Sequence, residues 1–266
     1  MIQRVFAVIG VFLLSSLSQI AHAELEVGLG LTAAHVPHYI GSDEGETYVI
    51  PFPYLRYRSD KLTIDRNLIQ GNLWQAGNWS LELSFGGAVK VDSDESQARQ
   101  GMDDLDFIIE AGPALHYYFL GNRRQDNALF FELPVRLATS TDFTQARYRG
   151  FTVNPRVVWR RGYFINGYEI RPQLSMGVRS ANANYHDYIY GVENRDITPD
   201  RNQYEASDGF GGYQIAYSTA VLWHGWLAAG FVRYVNISDA SFLDSPLVDT
   251  QHNLTGGIAF AYLFEN

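Results

Sequence analysis

"DFIIEAGPALHYYF" (Asp106 to Phe119) sets Phe107, Ile109, Ala111, Leu115, Tyr117 and Phe119 against Asp106, Glu110 and His116. Side chains alternate between the two faces of a strand, so a period of two with one apolar face marks a β-strand rather than a helix. Strands of a soluble sandwich commonly hold about five or six residues. This apolar face instead runs for the roughly 9–11 residues a tilted strand needs to cross the hydrocarbon of a membrane.

The same pattern recurs on both sides of that stretch. Leu25, Val27, Leu29, Leu31 and Ala33 alternate with Glu26, Gly28, Gly30 and Thr32, and Leu81, Leu83, Phe85, Val89 and Val91 oppose Glu82, Ser84 and Lys90. Leu129, Phe131, Leu133, Val135 and Leu137 oppose Glu132 and Arg136, while Val157 and Trp159 oppose Arg156 and Arg160. Ile170, Leu174, Met176 and Val178 oppose Glu169, Arg171 and Arg179. Aromatic residues gather near the strand ends, at Tyr54, Tyr57, Trp74, Trp79, Tyr117, Tyr118, Phe119, Trp159, Tyr163, Trp223 and Trp226, where interfacial girdles belong. The pattern predicts an all-β fold, a transmembrane antiparallel up-and-down β-barrel.

Strands are expected at 25–33, 47–58, 61–66, 68–75, 79–91, 106–120, 127–139, 149–161, 163–180, 210–223, 226–238 and 253–264, about 12 in all. Merging the two short strands in 61–75 would leave eleven, and ten is the other count the pattern allows. Such barrels have short periplasmic turns and long outer loops. Ser59-Asp60, Arg161-Gly162 and His224-Gly225 are then inner turns, with Gly121 to Asn127 the largest inner connection. The long connections 34–46, 92–105, 140–148, 181–209 and 239–252 fall outside. Two prolines in one strand, Pro51 and Pro53, remove two ladder donors and predict a bulge or weak pairing there.

Composition agrees with this class and excludes others. Seventeen Tyr, 16 Phe and 5 Trp with 24 Gly are strand formers and the residue that relieves crowding between strands. A basic start ending at Arg4, an apolar run from Val5 to Leu14 and Ala21-His22-Ala23 form a secretory signal with its cleavage between Ala23 and Glu24. Residues 1–23 are thus a signal peptide and 24–266 the barrel. Removing that segment's single Arg moves the formal charge from −9 to about −10, so nucleic acid is excluded as a partner. Zero Cys in an exported chain leaves no disulfide framework. No stretch reaches the ~18 apolar residues of a spanning helix.

The last strand carries Gly257, Phe260, Tyr262 and Phe264 in the polar-x-Gly-x-x-aromatic-x-aromatic order that resembles the C-terminal assembly signal of bacterial outer-membrane barrels; Glu265 and Asn266 follow where an aromatic often ends such chains. Longer motifs point to one family. "VPHYIGSDE" (Val36 to Glu44), "PFPYLRYRSDKLTID" (Pro51 to Asp65), "GMDDLDFIIEAGPALHYYF" (Gly101 to Phe119), "YHDYIYGV" (Tyr185 to Val192) and "LDSPLV" (Leu243 to Val248) resemble the MipA/OmpV family, also called MltA-interacting proteins. The resemblance implies a protein of the outer membrane of a Gram-negative bacterium, in contact with outer-membrane lipid and lipopolysaccharide. For one branch it also implies a scaffold joining a murein lytic transglycosylase to a penicillin-binding protein. Other members are described as outer-membrane proteins, antigens or candidate channels.

Twelve polar residues are placed on the lumen side: Glu82, Lys90, Glu110, His116, Glu132, Arg136, Arg156, Arg160, Glu169, Arg171, Arg179 and Arg233. Rings of charge set selectivity in a pore, which favours a small-solute channel. In a small barrel the same residues can instead meet across the lumen and close it with ion pairs. No Gly-x-Ser-x-Gly, His-Glu-x-x-His or Cys nucleophile is present, so no enzyme and no cofactor is expected. His186 with Asp187, or His38 with Asp43, is the only base-and-orienter arrangement to weigh, and acids beside His are common on solvated loops. Asp92, Asp94, Glu95, Asp103, Asp104 and Asp106 lack calcium-loop spacing and read as a solvated acidic loop, with no metal site.

Overall fold

The computed structural model describes residues 24–58, 62–65 and 68–264. The signal segment with Ala23, the expected turn at Ser59-Asp60, and Glu265 and Asn266 lie outside the described residues, and Glu24 opens the first strand. Fifteen strand segments form one antiparallel sheet: β1 (Glu24–Pro37), β2 (Gly45–Arg58), β3 (Leu62–Asp65), β4 (Leu68–Ala76), β5 (Trp79–Ala88), β6 (Phe107–Leu120), β7 (Ala128–Thr141), β8 (Ala146–Val153), β9 (Arg156–Arg160), β10 (Tyr163–Ile165), β11 (Tyr168–Ile170), β12 (Gln173–Ala181), β13 (Gly209–Trp223), β14 (Trp226–Asn236) and β15 (His252–Phe264). One helix, α1 (Ala183–Tyr190), lies in the connection between β12 and β13.

The sheet closes on itself. β1 pairs β2 on one side and β15 on the other, and β12 pairs β13 as well as β8 and β9, which pair β7. Closure of this kind is how a sheet satisfies its backbone in lipid, and among the described residues it is complete except at the sector between β2 and β5. The segments β8, β9 and β10 follow one path and β11 and β12 another, so the fifteen make twelve strand paths, the number read from the sequence. Arg160 faces Gln173 and Tyr163 faces Ile170, which is one unbroken register. The turn that joins these paths is therefore Asn166-Gly167, both at positive φ as a tight hairpin requires, and not the expected Arg161-Gly162. His224-Gly225, also at positive φ, makes the turn expected of it.

The alternation holds on the wall. Leu29 (62% exposed), Leu137 (60%), Met176, Ile258 and Phe260 face outward, whereas Ala114, Ala138, Ala220 and Ala261 are buried inside. A belt of exposed apolar side chains around a closed barrel is covered by lipid. At the turn end, Trp79 packs on Tyr117 at 4.7 Å and Trp226 on Tyr262 at 5.0 Å, forming part of the girdle. Tyr54 and Tyr118 do not join it: their even-numbered positions turn both rings into the lumen, where each is 3% exposed.

The wall is irregular at one sector. β3 and β4 form a short hairpin; among the described residues β3 pairs β2 through Tyr57 and Arg58 alone, and β4 pairs β5 no further than Glu82. Among the described residues, β2 above Arg56 and β5 above Glu82 have no partner on their facing sides. The expected bulge at the prolines is absent from the β1–β2 ladder, which keeps one register from Glu24–Arg58 to Pro37–Gly45. Pro51 and Pro53 are two apart, so their missing donors fall on one edge, and a partnerless edge is where a strand tolerates them.

Candidate functional site

The long connections pack into a lid over the loop end. Residues 38–44, 89–106, 182–208 and 237–251 contribute Tyr39, Val91, Leu105, Tyr185, Ile189, Tyr190, Val192, Phe242 and Leu247 to one buried apolar cluster. Tyr190 stacks on Phe242 at 3.7 Å, its hydroxyl donates to the Ile40 carbonyl at 2.7 Å, and Tyr39 donates to Leu247 at 2.9 Å. Asn253 on β15 accepts from the Gly41 amide and donates to the Ser42 carbonyl, both at 2.7 Å. Two buried arginines tie loops together. Arg99 donates to the Ile189 carbonyl at 2.9 Å and the Asp103 carbonyl at 3.1 Å, and Arg201 to the Ala98 carbonyl at 2.8 Å and the Gln100 carbonyl at 3.1 Å.

Four of the sequence motifs singled out above converge here. "VPHYIGSDE" forms the first lid loop, "GMDDLDF" ends the second, "YHDYIYGV" is α1 with the residues after it, and "LDSPLV" lies in the last. Burial holds the His186 imidazole of α1 below its ordinary pKa of 6.5; the Ser207 carbonyl, 2.9 Å from Nδ1, and Asp208 oppose this, and Arg179 adds to it.

Beneath the lid lies a cavity of about 850 Å³. Its walls carry Glu82, Glu110, His116, Glu132, Arg136, Arg156, Arg160, Arg179 and Arg233. The acids stand together on β5, β6 and β7, and each is engaged. Glu110 accepts from Tyr185 of the lid at 3.0 Å and Thr152 at 3.1 Å and lies 3.5 Å from Arg136, whose other nitrogens reach Ser84. Glu132 takes two parallel bonds from Arg156, at 2.8 and 2.9 Å. Glu82 accepts from Ser80 at 3.0 Å with His116 at 3.4 Å, although neither imidazole nitrogen is aligned for a hydrogen bond. Arg160 donates to the Asn122 and Arg123 carbonyls at the turn end.

The MltA-interacting protein MipA family matches residues 29–264. The chain belongs to the MipA family. No curated protein matches it. Among solved structures this MipA-family chain is similar to a bacterial polysaccharide outer membrane secretin, at 10% identity over 92% of this chain and 100% of that one, with a TM-score of 0.45. It is also similar to a porin, at 10% identity over 91% and 100% of the two chains and a TM-score of 0.27, and to Neisserial surface protein A, at 10% identity over 91% and 97% and a TM-score of 0.20. The MipA-family chain is an outer-membrane β-barrel protein.

Three residues placed in the lumen from sequence are not part of the cavity wall. β5 ends at Ala88, so Lys90 lies in a lid loop, paired with Asp104 at 2.8 Å and 47% exposed. Glu169 and Arg171 pair with each other at the turn end of the β11–β12 path. Gly257, Phe260, Tyr262 and Phe264 lie on β15, with the three aromatics outward; a Cβ at Gly257 would meet the Phe231 ring at 2.8 Å and the Ala33 carbonyl at 2.9 Å. The MipA-family lid residues Tyr185, Arg99 and Arg201 were not singled out by alternation. Tyr185, Ile189 and the pair His186 and Tyr190 recur four apart, the helical period that marks α1 within a long connection. The acidic loop is structural: Asp92 accepts from the Asp94 amide, Asp104 from the Ser93 amide, and Asp103 pairs with Arg195.

Proposed function

We propose that this chain is a non-enzymatic interaction protein of the Gram-negative outer membrane that holds murein-remodelling enzymes, a lytic transglycosylase and a penicillin-binding protein, at its periplasmic rim. The observation that carries this reading is the hairpin at the turn end. Phe164 has the lumen-side parity, so lipid does not cover it, and it is 78% exposed. An aromatic left bare on a hairpin tip is the kind of anchor that dominates a protein interface. Beside it, the Gly162 amide donates to Asn127 at 3.2 Å, which sets the turn carrying Arg123 and Arg124 against the same rim. The family's own description as MltA-interacting agrees with a murein enzyme as partner.

Of the two His–Asp pairs, the one on α1 is engaged with the backbone of the lid. His186 Nδ1 lies 2.9 Å from the Ser207 carbonyl, and Asp187 accepts from the Ala206 amide at 3.0 Å. Retention of murein synthases and hydrolases from a detergent extract of the native envelope tests the proposal. The wild-type barrel is expected to retain them and the Phe164→Asp barrel to lose them, and a wild-type barrel that retains none at low and moderate salt overturns it.

A small-solute channel is the second reading, favoured by the 850 Å³ cavity in which Arg233 remains exposed. Planar-bilayer recordings separate the two, since a channel gives discrete conductance steps and a barrel sealed by its lid does not.

A further inference from the structure

The charges of the lumen are unequally shared. Five arginines line the cavity against three glutamates, and those glutamates stand on β5, β6 and β7 with partners of their own. On the opposite wall, built by β12, β13, β14 and β15, the cavity-lining side chains include Arg179 and Arg233 and no acid. Among the described residues neither of these two arginines makes a hydrogen bond or an ion pair, whereas Arg136, Arg156 and Arg160 each make at least one.

Register places the two on either side of β13, four residues apart along it. Arg233 on β14 faces Ala216 of β13 and Thr255 of β15; Arg179 on β12 faces Gly212 of β13. Gln214 lies between them along β13, opposite Gly177. Gly177, Gly212 and Ala216 have little or no side chain to fill the space between the guanidinium groups. Gln214 and Thr255, both on the cavity wall, add neutral hydrogen-bonding groups to that space.

We infer that the lumen binds a small dianion carrying carboxylate or phosphate groups between Arg179 and Arg233. Two like charges in a confined, partly desolvated space repel, and a doubly charged anion removes the repulsion while satisfying donors that face no protein acceptor. The planar fork of a guanidinium matches the two oxygens of a carboxylate or phosphate, and the cavity is of the size that holds a small solute. The inference rests neither on a periplasmic partner nor on conduction, since an anion needs access to the cavity from one end only.

Isothermal titration calorimetry of the purified barrel in a non-ionic detergent at low ionic strength tests it, with inorganic phosphate as one probe and succinate as another. A third arm adds phosphatidylglycerol to the micelles, to separate a free solute from a lipid headgroup as the source of the anion. Saturable binding of either soluble probe is expected, weakened roughly tenfold in Arg179→Gln or Arg233→Gln and lost in the double variant. Binding of phosphatidylglycerol alone, binding of none, or binding unchanged in the double variant overturns the proposal. Thermal unfolding keeps the variants interpretable. Removing repelling charges is expected to leave the phosphate-free transition unchanged or raised, while the upward shift that phosphate gives the wild type disappears. A merely structural role for these arginines would lower the phosphate-free transition instead.

Discussion

Arg99 is the residue on which the lid depends most directly. Its guanidinium meets the Ile189 and Asp103 carbonyls and the Ser93 hydroxyl, and no carboxylate. Arg99→Met keeps much of the stem but leaves those buried acceptors unpaired, which is expected to destabilise the lid by about 3 kcal/mol. Limited proteolysis of the 182–208 connection in micelles reads this as faster cutting with the barrel band intact. His186 makes the lid sensitive to pH. Closed, its imidazole resists protonation because burial, helped by Arg179, outweighs the Ser207 carbonyl and Asp208; opened, it ionises near the ordinary 6.5. The closed lid therefore has its full stability above that pH and loses it as pH falls below. Amide exchange over 183–190, corrected for intrinsic rates, is expected to speed up from about one unit above 6.5 to about one unit below it, and to do so less in His186→Leu.

β2 is the element in which pairing and its absence meet within one strand. Its β1 side is bonded along its whole length, while its other side has no described partner above Arg56. The alternate amides between Gly45 and Leu55 that point away from β1 are expected to exchange at least roughly tenfold faster than those of β6 and β7, which have neighbours on both sides; equal protection would show that the sector is filled. The irregularity was legible as two prolines, but its form was not, because prolines two apart put both missing donors on one edge without showing whether the register shifts, and the β1 ladder keeps its register. The hairpin turn was misplaced for a related reason. "RGYFINGYEI" offers Gly162 and Asn166-Gly167 as turns, and only the pairing of Tyr163 with Ile170 shows that the strand continues past the first. Alternation placed Glu82, Glu110, Glu132 and Arg136 on the correct face, since parity alone determines that. It misplaced Lys90, because parity does not show where a strand stops, and it missed Arg99 and Tyr185, whose partners lie far away in sequence.

At the scale of the molecule, a ring of strands is covered at one end by loops that also reach its interior, through Tyr185 and Glu110 at 3.0 Å. The intact barrel is expected to show no discrete conductance, and the Arg99→Ala, Arg201→Ala double variant to show steps as its lid loosens; steps of equal size in both would place the barrier elsewhere. Unboiled samples are expected to migrate faster than boiled ones on gels, as a closed barrel does. The seam of the ring joins its first and last strands, from Val27 with Phe264 to His35 with Gly256. Contacts so far apart along the chain are the slowest kind to form. A nascent chain thus carries an open sheet with two unpaired margins until its last strand arrives, and a truncation inside β15 would leave a species prone to aggregation rather than a slightly weaker barrel.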